Sequence, residues 1–355
     1  MRILCICTTQ YQLINCINLT LCKYKKDKVD LLLLYNNSKV FDGIRIDKLN
    51  CIFNIVNEAY IQSLYSTKIE KYFFLLCKVL SNKPYKMDLK IKYDEVLISG
   101  TEMNSKIVAM KYWKRGSTIN YFEDGLESYD EILNTEYKYK QDTILKCIFG
   151  VRNLDVCNCL YVYAPYLVIN NTSKKNIEKI LIQKSDFYLK NIYEISKNKC
   201  KPFQKKFVFL NAWFSQEDMY NEQLSYINCL KEICSNTYSV KLHPHEKDTD
   251  ISEKYYIEDC GNFEIANILY DSTNKIYISI ISTACLTPKW LADSKPIIIY
   301  LFDIFLGKFE IPEWKETKKV ISKFIEKENY QNRIFIPRTM EEYRKILNDL
   351  NKEVV

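Results

Sequence analysis

Three short polar clusters each follow an apolar, strand-like run: Glu123-Asp124-Gly125, His243-Pro244 and Ser282-Thr283. In open α/β sheets ligands bind outside the carboxyl ends of the strands, because the loops there carry polar groups while the strands are buried. The three strand ends offer an acid, an imidazole and a hydroxyl pair. That set suits glycosyl transfer around a nucleotide-sugar phosphate.

Each cluster has its own chemistry and its own plainer alternative. His243 is delivered by the run Tyr238-Ser239-Val240-Lys241-Leu242, and Pro244 forbids further pairing. The chain has only 2 histidines, His243 and His245. An imidazolium at this point can donate to a leaving phosphate and balance its growing charge; the alternative is a surface residue or cap. A metal is not expected from His-x-His without a third imidazole or a thiolate pair. In Tyr121-Phe122-Glu123-Asp124-Gly125 the glycine suggests a tight turn. One carboxylate can take a proton from a sugar hydroxyl, a contribution of roughly 10²–10⁴-fold, although Asp-Gly is also a common turn pair. Ser282 and Thr283 open a helix, where hydroxyls and free N–H groups make an anion site or simply an N-cap. Glu217 and Asp218 are a fourth candidate, following the apolar run 206–210. They can equally favour the first turn of a helix through its dipole.

The elements that must position these groups alternate between β-branched runs and amphipathic stretches, which predicts βα units and mostly parallel sheets. Strands are expected over 2–7, 29–35, 95–99, 117–122, 206–210, 238–242, 275–280 and 296–300. Helices are expected over 10–23, 61–81, 104–114, 216–234, 284–292 and 341–350. The fold class is therefore α/β, with two Rossmann-like domains facing a cleft. Residues 1–170 are expected to form the first. Polar, lysine-rich residues 171–202 connect them, and 203–355 are expected to form the second. The terminal helix can pack on either.

Composition bounds the rest. At 355 residues the chain suits two domains, and 47% apolar residues suffice for full cores. The net charge of +7 is spread out, with no run of five like charges. It fits an anionic small substrate or a loose association with an anionic membrane face. No basic stripe interleaves with exposed aromatics, so nucleic acid is not expected. Only 7 glycines occur and none make Gly-x-Gly-x-x-Gly after the first strand, which disfavours a dinucleotide-binding dehydrogenase; a P-loop is missing too. Of 14 cysteines, Cys5, Cys7, Cys16, Cys22, Cys77 and Cys285 lie inside apolar periodic stretches, and no Cys-x-x-Cys occurs. Cys5-x-Cys7 and Cys157-x-Cys159 have strand-like spacing. A reduced, cytoplasmic protein is expected, without signal peptide or membrane span.

The order of these motifs resembles the bacterial sialyltransferases of glycosyltransferase family 52, the lipooligosaccharide and capsule group. The resemblance covers most of the chain. It runs from the opening strand and its Thr9-x-x-Gln12 turn through Phe122-Glu123-Asp124-Gly125 and Leu242-His243-Pro244 to the Ser282-Thr283-Ala284-Cys285-Leu286-Thr287 helix start. It implies a GT-B fold and inverting, metal-independent transfer from CMP-sialic acid to a terminal sugar of a surface glycan, with no cofactor. Carried over, His243, Pro244, Ser282 and Thr283 hold the nucleotide phosphate, with Glu123 and Gly125 also lining the binding site. The base is Asp124 in some relatives. In the lipooligosaccharide enzymes it is an acid after the first strand of the second domain, here Asp218 or Glu217. This chain departs there, with Ala212-Trp213-Phe214-Ser215-Gln216-Glu217-Asp218 in place of the family's small-residue-Pro-Asp pattern. Two other readings stay open: a GT-B enzyme using a UDP-hexose, and a non-catalytic protein that binds nucleotides or partners. Association with the inner membrane face and a homodimer are compatible with the sequence.

Overall fold

The computed structural model describes residues 1–35, 40–61, 77–81, 85, 87–100, 102–129, 136–168, 175–182, 185–196, 200–214, 216–243, 254–311 and 314–352. The expected helix over 61–81 falls mostly outside them, as do Pro244 and His245. The chain divides into two compact units, Met1–Lys197 and Asn198–Val355.

Among its described residues the first unit holds a seven-stranded sheet. Its members are β1 (Arg2–Cys7), β2 (Lys28–Tyr35), β3 (Ile55–Tyr60), β4 (Glu95–Ile98), β5 (Thr118–Phe122), β6 (Cys157–Val162) and β7 (Asn176–Lys179). They lie in the order β3-β2-β1-β4-β5-β6-β7, and every neighbouring pair is parallel. The central strands are apolar on both faces, as a sheet covered by helices on each side requires; Ile3 to Cys7 and Val96 to Ile98 have no accessible surface. The order reverses between β1 and β4, the kind of point at which open α/β sheets take their ligands.

Among its described residues the second unit repeats the plan with five parallel strands. These are β8 (Phe207–Leu210), β9 (Tyr238–Lys241), β10 (Ile276–Ser279), β11 (Ile297–Tyr300) and β12 (Ile334–Phe335), in the order β12-β11-β10-β8-β9. Here the order reverses between β8 and β10. The terminal helix Met340–Lys352 packs on the helix Glu217–Cys234 of the same unit: Tyr343 and Leu347 are fully buried, and the Asn351 amide donates to the Ile233 carbonyl at 3.1 Å.

Parallel α/β architecture, read from alternating patterns, is what the molecule has. Four strands had no sequence forecast. β3 and β7 are half-exposed edge strands without a continuous apolar run, β12 has two residues, and β6 announced itself only by the Cys157-x-Cys159 spacing. Residues 171–202, expected as a connection, contribute β7 and the helix Asp186–Ser196 to the first unit. Each of the cysteines is a free thiol. Among the described residues no helix is long and apolar enough to cross a membrane.

One glycine controls a strand exit. Gly100 leaves β4 at φ +78°, and a Cβ there would stand 2.8 Å from the ring of the fully buried Tyr121. That ring is tethered by its hydroxyl to Asn153. Gly100→Ala is therefore expected to lower the unfolding free energy by roughly 1–3 kcal/mol, from left-handed strain and overpacking together, read as a shifted midpoint in urea denaturation.

Candidate active site

The acid cluster is shaped by the end of β5. Glu123 still belongs to the sheet edge, its N–H donating to the Tyr161 carbonyl at 2.8 Å, so its side chain is committed to the interior and has no accessible surface. The carboxylate accepts from the Tyr11 hydroxyl at 2.6 Å on Oε1, and from the Tyr129 hydroxyl and the Tyr163 N–H (2.9 Å) on Oε2. Burial pushes its pKa up to about 7; the three donors pull the other way, and the charge of Asp124 adds to the rise. Burial also holds the phenols of Tyr11, Tyr129 and Tyr163 far above the usual tyrosine range, so they stay donors.

Asp124 is less enclosed. It is half-buried, and its N–H donates to Ser128 Oγ at 2.7 Å. Gly125 follows at φ 97°, ψ −167°, a backbone region that only glycine occupies readily. The short 3₁₀ turn Leu126–Ser128 then closes the loop, with the Ser128 N–H donating to the Gly125 carbonyl at 2.9 Å. Of the adjacent acids, Glu123 is thus sealed in the core while Asp124 keeps part of its surface accessible.

The Thr9-x-x-Gln12 turn is a helix cap. Thr9 Oγ1 accepts from the Gln12 N–H at 3.2 Å, and Gln12 Oε1 accepts from the Thr8 N–H at 2.7 Å. That reciprocal pairing satisfies the first turn of the helix Gln10–Cys22.

In the second unit three neighbouring strands, β9, β8 and β10, end at one edge with the remaining candidates. His243 stands half-buried two residues beyond β9. Beyond β10 the structure differs in detail from the expected helix 284–292: Thr283–Cys285 is a 3₁₀ turn, and the α-helix runs from Thr287 to Ala292. Ser282 caps the turn, its Oγ accepting from the Ala284 N–H at 3.2 Å. Its own N–H donates to Ser279 Oγ at 3.1 Å, and its carbonyl accepts from the Tyr300 hydroxyl at 3.1 Å. Ser282 and Thr283 are half-buried at this held corner. At the exit of β8 the buried Gln223 amide clamps the backbone of Ala212, accepting from its N–H at 2.8 Å and donating to its carbonyl at 2.9 Å. Trp213 beyond it is 54% exposed. Glu217 and Asp218 are exposed in the first turn of Glu217–Cys234.

Sequence reasoning passed over Glu264. It sits in the first turn of the helix Phe263–Leu269, capped by Asn262, whose Oδ1 accepts from the Ile265 N–H at 2.6 Å. Burial raises its pKa, while its own backbone N–H, Lys241 at the end of β9 and Asn262 favour the anion. The Asn262 cap with an acid two residues on was a readable helix start. It was missed because only the single bridge Val240–Ile257, not a strand, precedes it.

The structure therefore brings His243, Ser282, Thr283, Glu217 and Asp218 to one edge of the five-stranded sheet. It places Glu123, Asp124 and Gly125 together at the end of β5 in the other unit. Among the described residues no set of three or more His, Cys, Asp or Glu side chains is arranged to hold a metal ion.

No protein-family model matches the sequence, and no curated protein matches it. Solved structures do share its fold. A putative UDP-N-acetylglucosamine 2-epimerase from Listeria monocytogenes is similar with a TM-score of 0.54 and 11% identity, over 99% of this chain and 94% of its own. The spinosyn rhamnosyltransferase SpnG gives 0.52 and 9%, over 100% and 91%. An α/β-galactoside α-2,3-sialyltransferase from Photobacterium phosphoreum gives 0.49 and 15%, over 94% and 98%, a score too low to weigh in the argument. At these identities the likeness shows the fold alone: two Rossmann-type domains in one chain, the GT-B arrangement that glycosyltransferases and this epimerase share.

Proposed function

We propose that the chain is an inverting glycosyltransferase of GT-B type that moves sialic acid from CMP-sialic acid to a terminal hydroxyl of a bacterial surface glycan. The observation that carries this reading is the edge of the second unit, where His243 and the Ser282-Thr283 corner end the two strands that flank β8. The order reversal lies at that edge, where open α/β sheets take their ligands. An imidazolium and two hydroxyls there serve the phosphate of CMP, a leaving group that needs its charge balanced and no more. In the first unit Asp124 takes the proton of the acceptor hydroxyl as its oxygen bonds to the anomeric carbon. The bond from that carbon to the phosphate breaks on the opposite face, and CMP leaves with the electron pair. Glu217 and Asp218 are the competing bases; both belong to an exposed first helical turn, where their charge already has a structural use. No metal or other cofactor enters this scheme.

A second reading keeps the fold and changes the donor to a nucleoside diphosphate sugar. It is favoured by the neighbours with TM-scores above 0.5, which include the rhamnosyltransferase and the UDP-N-acetylglucosamine 2-epimerase. Calorimetric titration with CMP and then UDP, with and without magnesium, separates the two. The expected result is saturable CMP binding without metal, weakened about 10- to 100-fold in His243→Ala, as loss of a charge-assisted hydrogen bond requires. A preference for UDP moves the assignment to the second reading. Binding of neither nucleotide leaves the three clusters as turns and caps.

A further inference from the structure

We propose that Tyr11 is a positioning residue for Asp124, acting through the buried carboxylate of Glu123; this rests on Asp124 being the proton acceptor of the reaction proposed above.

The argument starts from one helix face. Tyr11 and Asn15 are four residues apart on the helix Gln10–Cys22, so their side chains rise side by side. Both reach the same residue, more than a hundred positions away in sequence. The Tyr11 hydroxyl donates to Glu123 Oε1 at 2.6 Å, and Asn15 Nδ2 donates to the Glu123 main-chain carbonyl at 2.7 Å. That carbonyl belongs to the peptide that carries Asp124. The helix thus fixes the orientation of the peptide plane from which the Asp124 side chain departs. Behind it, Asn15 accepts from the Tyr163 hydroxyl at 2.5 Å and Asn18 donates to the same oxygen at 2.8 Å, so the contact is itself held.

Tyr11 differs from the other donors to Glu123. Tyr129 and Tyr163 are buried in the core, and each is joined to it by further bonds: the Tyr129 oxygen accepts from the Ala164 N–H at 3.2 Å. Tyr11 is half-buried, in the first turn of the helix that follows β1. Removing its hydroxyl leaves the packing of the ring in place and deprives Oε1 of this donor. The titratable groups that face Glu123 are Tyr11 and Tyr129 through their bonds to it, Tyr163 behind its N–H, and Asp124 next in the chain. Loss of the Tyr11 donor favours protonated Glu123, which can no longer accept from all of its partners, and the loop ahead of Asp124 loosens. A displacement of about 1 Å in a reacting group costs up to 10²-fold in rate.

The test measures transfer from CMP-sialic acid to lactose against pH in wild type, Tyr11→Phe and Glu123→Gln, with CMP affinity and thermal midpoint in each. The expected result for Tyr11→Phe is a kcat lowered about tenfold with donor KM within about twofold. The acid limb of its kcat profile moves to higher pH, and CMP affinity and midpoint stay close to wild type. Glu123→Gln, permanently neutral, loses that limb. A Tyr11→Phe profile superimposable on wild type overturns the proposal. So does a joint fall of kcat, CMP affinity and thermal midpoint, which marks a packing role only. Amide exchange of residues 122–129 provides a readout independent of the reaction. Faster exchange confined to that segment in Tyr11→Phe supports positioning, and unchanged exchange overturns it. Absence of transfer by the wild-type chain, with that exchange difference present, overturns the assigned reaction and not the coupling.

Discussion

Asp124→Asn is expected to lower kcat for the proposed sialyl transfer by roughly 10²–10⁴-fold, with CMP affinity unchanged. The amide keeps the size of the side chain and the N–H that reaches Ser128, so the loop keeps its shape while the acceptor for the proton is lost. The comparison that gives this meaning is with Asp218→Asn and Glu217→Gln. Those side chains are exposed, and their loss touches only the first turn of a long, well-packed helix. Steady-state kinetics on the three variants ranks the candidates. A fall of that size in Asp218→Asn, with Asp124→Asn near wild type, would move the base to the second unit.

The second large effect is on stability. Glu123 titrates at about 7 in the folded chain and at about 4.5 when unfolded. Between those values the folded state binds the proton that the unfolded state releases, so stability decreases as pH rises through the window. Below about 4.5 both states are protonated and the penalty is absent; above about 7 it is fully present. A gap of that size corresponds to about 3 kcal/mol. Glu123→Gln carries no charge and escapes the penalty. Its carbonyl oxygen can accept from the Tyr163 N–H while its amide donates to the Tyr11 oxygen. Urea denaturation of both proteins at pH 4.5 and pH 8 should show the variant gaining about 3 kcal/mol relative to wild type across the interval. A difference that stays constant with pH means that Glu123 does not titrate there.

How much of this was legible depended on which force placed each residue. The buried strands declared themselves, because a parallel sheet covered on both faces demands continuous apolar runs such as Ile3 to Cys7 and Ile276 to Ile278. The turn residues also declared themselves: Gly125 marks a torsion that other residues avoid, and Ser282 marks a cap. What could not be read was the direction of side chains fixed by long-range contacts. Nothing near Glu123 says that it is sealed in the core while Asp124 keeps accessible surface, since the donors that hold Glu123, Tyr11 and Tyr163, are 112 and 40 residues distant. Gln223 gives no local sign that it grips Ala212, and Glu264 lacks the preceding apolar run that brought the other candidates into view. Edge strands such as β7 form because a partner strand offers unpaired groups, a cause that lies outside their own four residues.

The anchor beneath the acid loop contains no cation among its named donors: Glu123 is held by two phenols and a main-chain amide. Dissolved ions weaken attraction between opposite charges, but they have little to act on where a buried anion rests on neutral dipoles. The loop should therefore hold its shape from dilute buffer to concentrated brine. Any dependence of the proposed reaction on ionic strength then belongs to the encounter with the proposed anionic donor, not to the scaffold that carries Asp124.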